Sequence, residues 1–113
     1  MRLPFIFCAS ITAISAIISL GFSITAALGA TGTARTMALY ACARSAALVI
    51  ACAVPFLTGS TGWLLAMAWS MIIVQACDAV IGGTINDPIK TYGPAVTALL
   101  NLMAVIWLIQ ALP

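Results

Sequence analysis

Residues 3–29 read LPFIFCASITAISAIISLGFSITAALG, an apolar stretch that contains no charged residue and decides the fold of the chain. A helix needs roughly 20 apolar residues to cross the hydrocarbon core of a bilayer. The apolar region of a signal peptide has only about 7–15 residues and ends at a cleavage site, which is not evident here. The stretch therefore predicts a retained membrane-spanning helix that ends at the linker 30–33.

The composition of the whole chain extends this interpretation. Of the 113 residues, 65% are hydrophobic and only 5% are charged, whereas a soluble domain carries about 25% charged residues. Four basic and two acidic residues are too few to cover a water-exposed surface. The net charge of +2 and the lack of a basic run argue against a nucleic-acid partner. The composition predicts an integral membrane protein surrounded by the lipid bilayer.

Three further apolar stretches follow the first, and short loops separate them. Together, the four apolar stretches predict one transmembrane domain over residues 1–113, with spans at about 3–29, 36–57, 63–81 and 92–112. The linker between the second and third spans is so short that these helices must be antiparallel neighbours. We therefore predict an all-α fold, an integral membrane four-helix bundle with antiparallel up-down topology.

The basic residues give a weak indication of orientation. We call the side with both termini and the second loop side A, and the side with the first and third loops side B. Side A carries Arg2, whereas side B carries Arg35 and Lys90. The positive-inside rule then favours side B as cytoplasmic, although a difference of one charge leaves the orientation of the termini open. We expect a multi-pass protein of the bacterial cytoplasmic (inner) membrane.

The first span also carries a row of small polar residues. Ser15, Ser19 and Ser23 recur at four-residue spacing and therefore share one face of a helix. Small residues on one face allow helices to approach closely in lipid. The row predicts packing inside one bundle, with a homo-oligomer as the alternative.

Two charged residues lie inside the predicted spans, Arg44 in the second and Asp78 in the third. Each costs about 2.5–3.5 kcal/mol at a helix centre, so such residues usually face inward and pair. A rise of 1.5 Å per residue places Asp78 roughly 7 Å and Arg44 about 13 Å below the side B boundary, within reach of the long arginine side chain. The pair is either a clasp that fixes helix register or a catalytic site in which Asp78 is the acid or base.

Further polar side chains are predicted at the same depth and extend the pair to a candidate ligand-binding site. They are Tyr40, Gln75, Thr97, Asn101 and, at the mouth, Arg35. The half of the bundle on side A has almost no such residues. This asymmetry predicts a pocket that opens toward side B and takes an apolar small molecule or a lipid.

No cofactor and no metal site are predicted. The chain has no histidine, the commonest metal ligand. Its cysteines form no CxxC pair, and all four lie in apolar stretches: Cys8, Cys42, Cys52 and Cys77. We interpret them as small packing residues, with a thiol oxidoreductase as an alternative that the spacing does not support.

Several short patterns resemble the small DoxX-like membrane proteins, including their uncharacterised branches. They are GTAR at residues 32–35, the alanine-rich second span, Asp78 near the end of the third, and YGP at residues 92–94. The resemblance covers about residues 20–110 and implies a four-helix bundle without a defined activity. It marks Arg35 and Asp78 as family-like positions, whereas Thr36 stands where those proteins often carry an acidic residue.

Three functions remain open from the sequence. The first is a binding or accessory membrane protein that holds an apolar small molecule or lipid or supports a partner subunit. The second is a membrane-embedded isomerase, cyclase or epoxide-opening enzyme that uses Asp78 as acid or base, so the sequence leaves enzyme status undecided. The third is a small multidrug-resistance-like transporter, a family that relies on a glutamate in its first helix, where this chain has no acidic residue.

Overall fold

The computed structural model describes residues 2–112, so Met1 and Pro113 of the predicted domain lie outside the described residues. Four α-helices follow one another: α1 Leu3–Gly29, α2 Gly32–Thr58, α3 Thr61–Thr84 and α4 Pro88–Ala111. Residues 2–112 contain no β-strand, and the prediction of an all-α, four-helix fold is confirmed. Each helix has 24 or 27 residues and is long and apolar enough to cross a membrane.

The fourth helix begins at Pro88, ahead of the predicted span at residue 92. Asp87 is its N-cap, and the Asp87 carboxylate accepts hydrogen bonds from the N–H groups of Ile89 and Lys90 at 3.1 and 3.2 Å. Proline is well tolerated at the first helical position because its missing N–H has no partner there anyway. Capping rather than apolar content therefore sets where this helix starts.

The connection between α2 and α3 consists of Gly59 and Ser60. Gly59 has a φ of 68°, the left-handed conformation that favours glycine, and its N–H donates to the Pro55 carbonyl at 2.9 Å. The Ser60 hydroxyl then accepts a hydrogen bond from the Trp63 N–H at 3.2 Å and caps α3. Two residues thus end one helix and start the next.

The apolar core lies in the half of the molecule on side A. There α1, α3 and α4 bury a cluster that includes Phe5, Cys8, Leu64, Val105 and Leu108. Helix α1 packs most extensively on α2, and α3 on α4, whereas α2 contacts α3 only slightly and α4 not at all. The bundle therefore consists of two well-packed pairs, α1 with α2 and α3 with α4, that α1 joins through its contacts with α3 and α4.

The outer surface of all four helices is apolar. Leu28, Ile50 and Leu57 are 83%, 71% and 87% exposed. The Cα atoms extend over 51 × 26 × 15 Å, so the body is flattened and much of each helix lies at its surface. In water, a continuous apolar surface of this kind would be an aggregation hazard.

Candidate functional site

A partly open cavity of about 290 Å³ lies between the four helices in the half of the molecule on side B. Its wall includes residues from the late part of α1 and α3 and the early part of α2 and α4. Ile18, Phe22, Ile81, Ile85 and Pro94 form much of its apolar surface. The cavity is the space that the looser packing of α2 leaves open, because α2 contacts α3 only slightly and α4 not at all.

The two charged residues of the predicted site line this cavity together. Arg44 Nη2 lies 4.0 Å from Asp78 Oδ1, and the two side chains are 51% and 29% exposed. This distance is beyond the range of an N–H···O hydrogen bond. The two groups therefore form an ion pair without a direct hydrogen bond between them. A loose pair of this kind holds the helix register less firmly than a hydrogen-bonded pair would.

Gln75 and Thr97 also line the cavity, as the sequence predicts. The buried Gln75 donates from Nε2 to the Ser15 carbonyl at 3.2 Å and so joins α3 to α1. The Thr97 hydroxyl faces the Gly93 and Pro94 carbonyls of its own helix, at 3.2 and 2.9 Å. Both side chains therefore form hydrogen bonds with backbone carbonyls of the protein itself.

Three predicted ligand-binding residues are not brought to the cavity. Tyr40 is 71% exposed on the outer surface of α2, and Arg35 is exposed near the start of the same helix. Asn101 is fully buried and lies 3.0 Å from the Thr12 hydroxyl of α1. The prediction of one cluster is corrected here, because equal depth along the helices does not fix the direction in which each side chain points.

Sequence reasoning missed the contribution of α1 to the cavity. Ser19 and Ser23 line it, and their hydroxyls lie 3.2 and 3.4 Å from the buried Ser45 hydroxyl of α2. Ser23 Oγ also donates to the Ser19 carbonyl at 3.0 Å. The four-residue serine spacing predicts packing inside one bundle without naming the partner helix, and the structure places Ser19 and Ser23 against α2. The same face continues into the cavity wall.

Lys90 is a second cavity residue that the sequence did not mark as part of the site. It lies in the first turn of α4, where the chain passes close to the end of α3. Asp87 N–H donates to the Gly82 carbonyl at 3.1 Å, and the backbone of Gly82 lies directly against the Lys90 carbonyl. This contact places Lys90 at the rim of the cavity.

The cysteines do not form a second site. All four are free, with Cys8 and Cys52 buried and Cys77 exposed. Within residues 2–112, no group of three or more His, Cys, Asp or Glu side chains is placed to hold a metal ion.

No protein-family model, curated protein or solved structure matches this chain. The resemblance to DoxX-like proteins therefore stays a prediction. Function has to be argued from the cavity and its lining residues.

Proposed function

We propose that the chain is a multi-pass membrane protein whose cavity on side B binds an amphiphilic small molecule or a lipid. The cavity itself carries the proposal, because it combines an apolar wall with three charged residues, Arg44, Asp78 and Lys90. Small-molecule sites are typically concave and mostly apolar, with few polar groups that orient the ligand. A ligand with an apolar body and one polar end matches this distribution.

The exposed apolar surface supports insertion into a bilayer, where lipid tails replace water around the helices. The contacts between helix ends support an antiparallel up-down arrangement. Arg2 Nη1 donates to the Ala111 carbonyl at 2.9 Å, and Thr12 meets Asn101. The start of α1 therefore lies beside the end of α4. We place the protein in the bacterial cytoplasmic membrane with side B toward the cytoplasm, as its basic residues favour.

Photolabelling with a diazirine-bearing decanol tests the binding function. The purified protein in maltoside micelles is irradiated with this neutral amphiphile, and labelled peptides are mapped by mass spectrometry. We expect labelling to concentrate on the cavity-lining residues of α1 and α3, including Phe22 and Ile81. Excess unlabelled decanol should compete for these positions and leave labelling of the outer helix surfaces unchanged.

Two matched variants of α2 sharpen the test. Ala41 lines the cavity, whereas Ala43 is exposed on the same helix and does not contribute to the wall. Ala41→Phe should fill the space and reduce cavity labelling to near background, while Ala43→Phe should label like the unmodified protein. Labelling spread evenly over the helices, and equally insensitive to both substitutions, would show that the cavity binds no amphiphile.

A further inference from the structure

Resting on the proposed function, we infer that the ligand of the cavity carries an anionic head group, a carboxylate or a phosphate ester. Two basic residues, Arg44 and Lys90, and one acidic residue, Asp78, border the cavity. One positive charge is therefore in excess. A singly charged anionic amphiphile would balance it, which matters in a region where the bilayer makes uncompensated charge costly.

The Arg44 guanidinium is free to bind such a head. It has five N–H donors, and no hydrogen bond joins it to any other residue in the described part of the chain. Among residues 2–112 it forms one ion pair, with Asp78 at 4.0 Å, and about half of its side chain is exposed. Charge-assisted hydrogen bonds from a guanidinium to a carboxylate or phosphate are short and often bidentate. An incoming oxyanion therefore finds donors that the protein itself leaves unused.

The neutral polar residues of the wall already form hydrogen bonds within the protein, including Ser19, which meets the Ser45 hydroxyl. Ser23 donates to the Ser19 carbonyl, Gln75 to the Ser15 carbonyl, and Thr97 to carbonyls of its own turn. Since a hydroxyl has one proton to donate, Ser23 and Thr97 have no second one for a ligand. The charged residues are therefore the strongest hydrogen-bond donors that the wall offers a head group.

Lys90 completes the anion-binding site at the rim of the cavity. The nearest acidic residue in sequence, Asp87, uses its carboxylate to cap the N–H groups of Ile89 and Lys90, does not line the cavity, and forms no ion pair with the Lys90 ammonium among residues 2–112. The Lys90 side chain is exposed and has no charged partner among these residues, so it is available to a ligand at the rim. The apolar chain of the ligand would then extend along Phe22 and Ile18, which line the cavity progressively farther from the end of α1.

Displacement of the diazirine-bearing decanol from the cavity measures the preference. Decanoate and decanol share a chain and differ in head charge, so we compare the concentrations of each that halve cavity labelling, at a pH where decanoate is ionised. We expect decanoate to displace the label at about tenfold lower concentration, the effect of roughly one charge-assisted hydrogen bond. Dioctanoyl phosphatidylglycerol, compared with dioctanoyl phosphatidylcholine, tells whether the anion comes from a phospholipid head or a free fatty acid.

Substitutions of single cations assign the preference to the cavity. Arg44→Gln and Lys90→Gln should each reduce the ratio of decanol to decanoate half-displacement concentrations toward one. Arg35→Gln removes an exposed cation that does not line the cavity and should leave the ratio unchanged. Arg44 lies in the middle of α2, so Arg44→Gln could fail to accumulate in the membrane. In that case Lys90→Gln and the unmodified protein still decide the outcome, because Lys90 is exposed in the first turn of α4 and its loss should not prevent folding.

The outcomes separate this inference from the function on which it rests. If decanoate and decanol displace the label at equal concentrations, whether or not the two phospholipids also do, the anionic head group is ruled out. The binding function would remain intact. A ratio that falls as much in Arg35→Gln as in Lys90→Gln would also overturn it. No cavity labelling at all would sink both proposals.

Discussion

At the scale of single residues, the buried contact between Thr12 and Asn101 is the clearest polar link between α1 and α4. The Thr12 hydroxyl lies 2.7 Å from the Cys8 carbonyl and 3.0 Å from Asn101 Oδ1, although it has only one proton to donate. Among the described residues, Asn101 Nδ2 is buried without a partner. Turning the amide around would let Nδ2 donate to Thr12 while Thr12 donates to Cys8, and only the amide oxygen would lack a partner.

Thr12→Val tests the strength of this link. Valine keeps the shape of threonine but removes the hydroxyl, so the whole Asn101 amide is left without a partner in a packed interior. We expect a loss of about 1–2 kcal/mol in the free energy of unfolding, measured by denaturant titration in micelles. Thr25→Val is the matched control, because Thr25 also donates to a carbonyl of its own helix, at 2.9 Å, but is exposed. Equal losses in both variants would contradict a specific Thr12–Asn101 link.

At the scale of helices, the apolar stretches predict how many elements exist, but not where each begins or which face it presents. The start of α4 depends on Asp87 and Pro88, polar and capping residues outside the apolar stretch. Spacing along a helix gives depth, and depth brings Arg44 and Asp78 together as expected. It does not give the rotation of each helix about its axis, which the packing of all four decides, so the predicted positions of Tyr40 and Asn101 were wrong.

A substitution at Gly82 tests how closely the end of α3 must approach the start of α4. A Cβ atom at this position would lie against the Lys90 carbonyl and only 2.8 Å from the Thr91 nitrogen, whereas a Cβ at Gly83 would meet nothing within 4 Å. Backbone atoms cannot move aside as a flexible side chain would. We expect Gly82→Ala to lower the free energy of unfolding by about 1–3 kcal/mol relative to Gly83→Ala.

Gly82→Ala and Gly83→Ala both replace a glycine in a helix, so both gain about 1 kcal/mol of helix propensity. The difference between their free energies of unfolding, measured in the same micelles, therefore isolates the steric effect. Gly82→Ala should also weaken cavity labelling, since it displaces the turn that carries Lys90. A Gly82→Ala protein as stable as Gly83→Ala would mean that the two helix ends do not approach so closely.

At the scale of the whole molecule, the two halves differ in what they bury. The side A half encloses the apolar core around Leu64 and Val105, and Arg2 Nη1 joins the chain ends there by donating to the Ala111 carbonyl. The side B half encloses the cavity and its charges, Arg44, Asp78 and Lys90. The side A half also holds a smaller cavity of about 230 Å³ beside Arg2, so the two halves differ in the charge of their cavities rather than in having one.

The orientation of these halves is testable by cysteine accessibility in membranes. With the native cysteines replaced by alanine, Thr31→Cys, Ser60→Cys and Asn86→Cys each place a thiol in one connection between helices. Connections of two or three residues cannot recross a bilayer about 30 Å thick, so their sides must alternate. A membrane-impermeant maleimide should therefore modify Thr31→Cys and Asn86→Cys from the cytoplasmic face and Ser60→Cys from the opposite face. Modification of all three from one face would rule out the up-down bundle, whereas inversion of all three would keep the bundle and reverse only the direction in which the cavity opens.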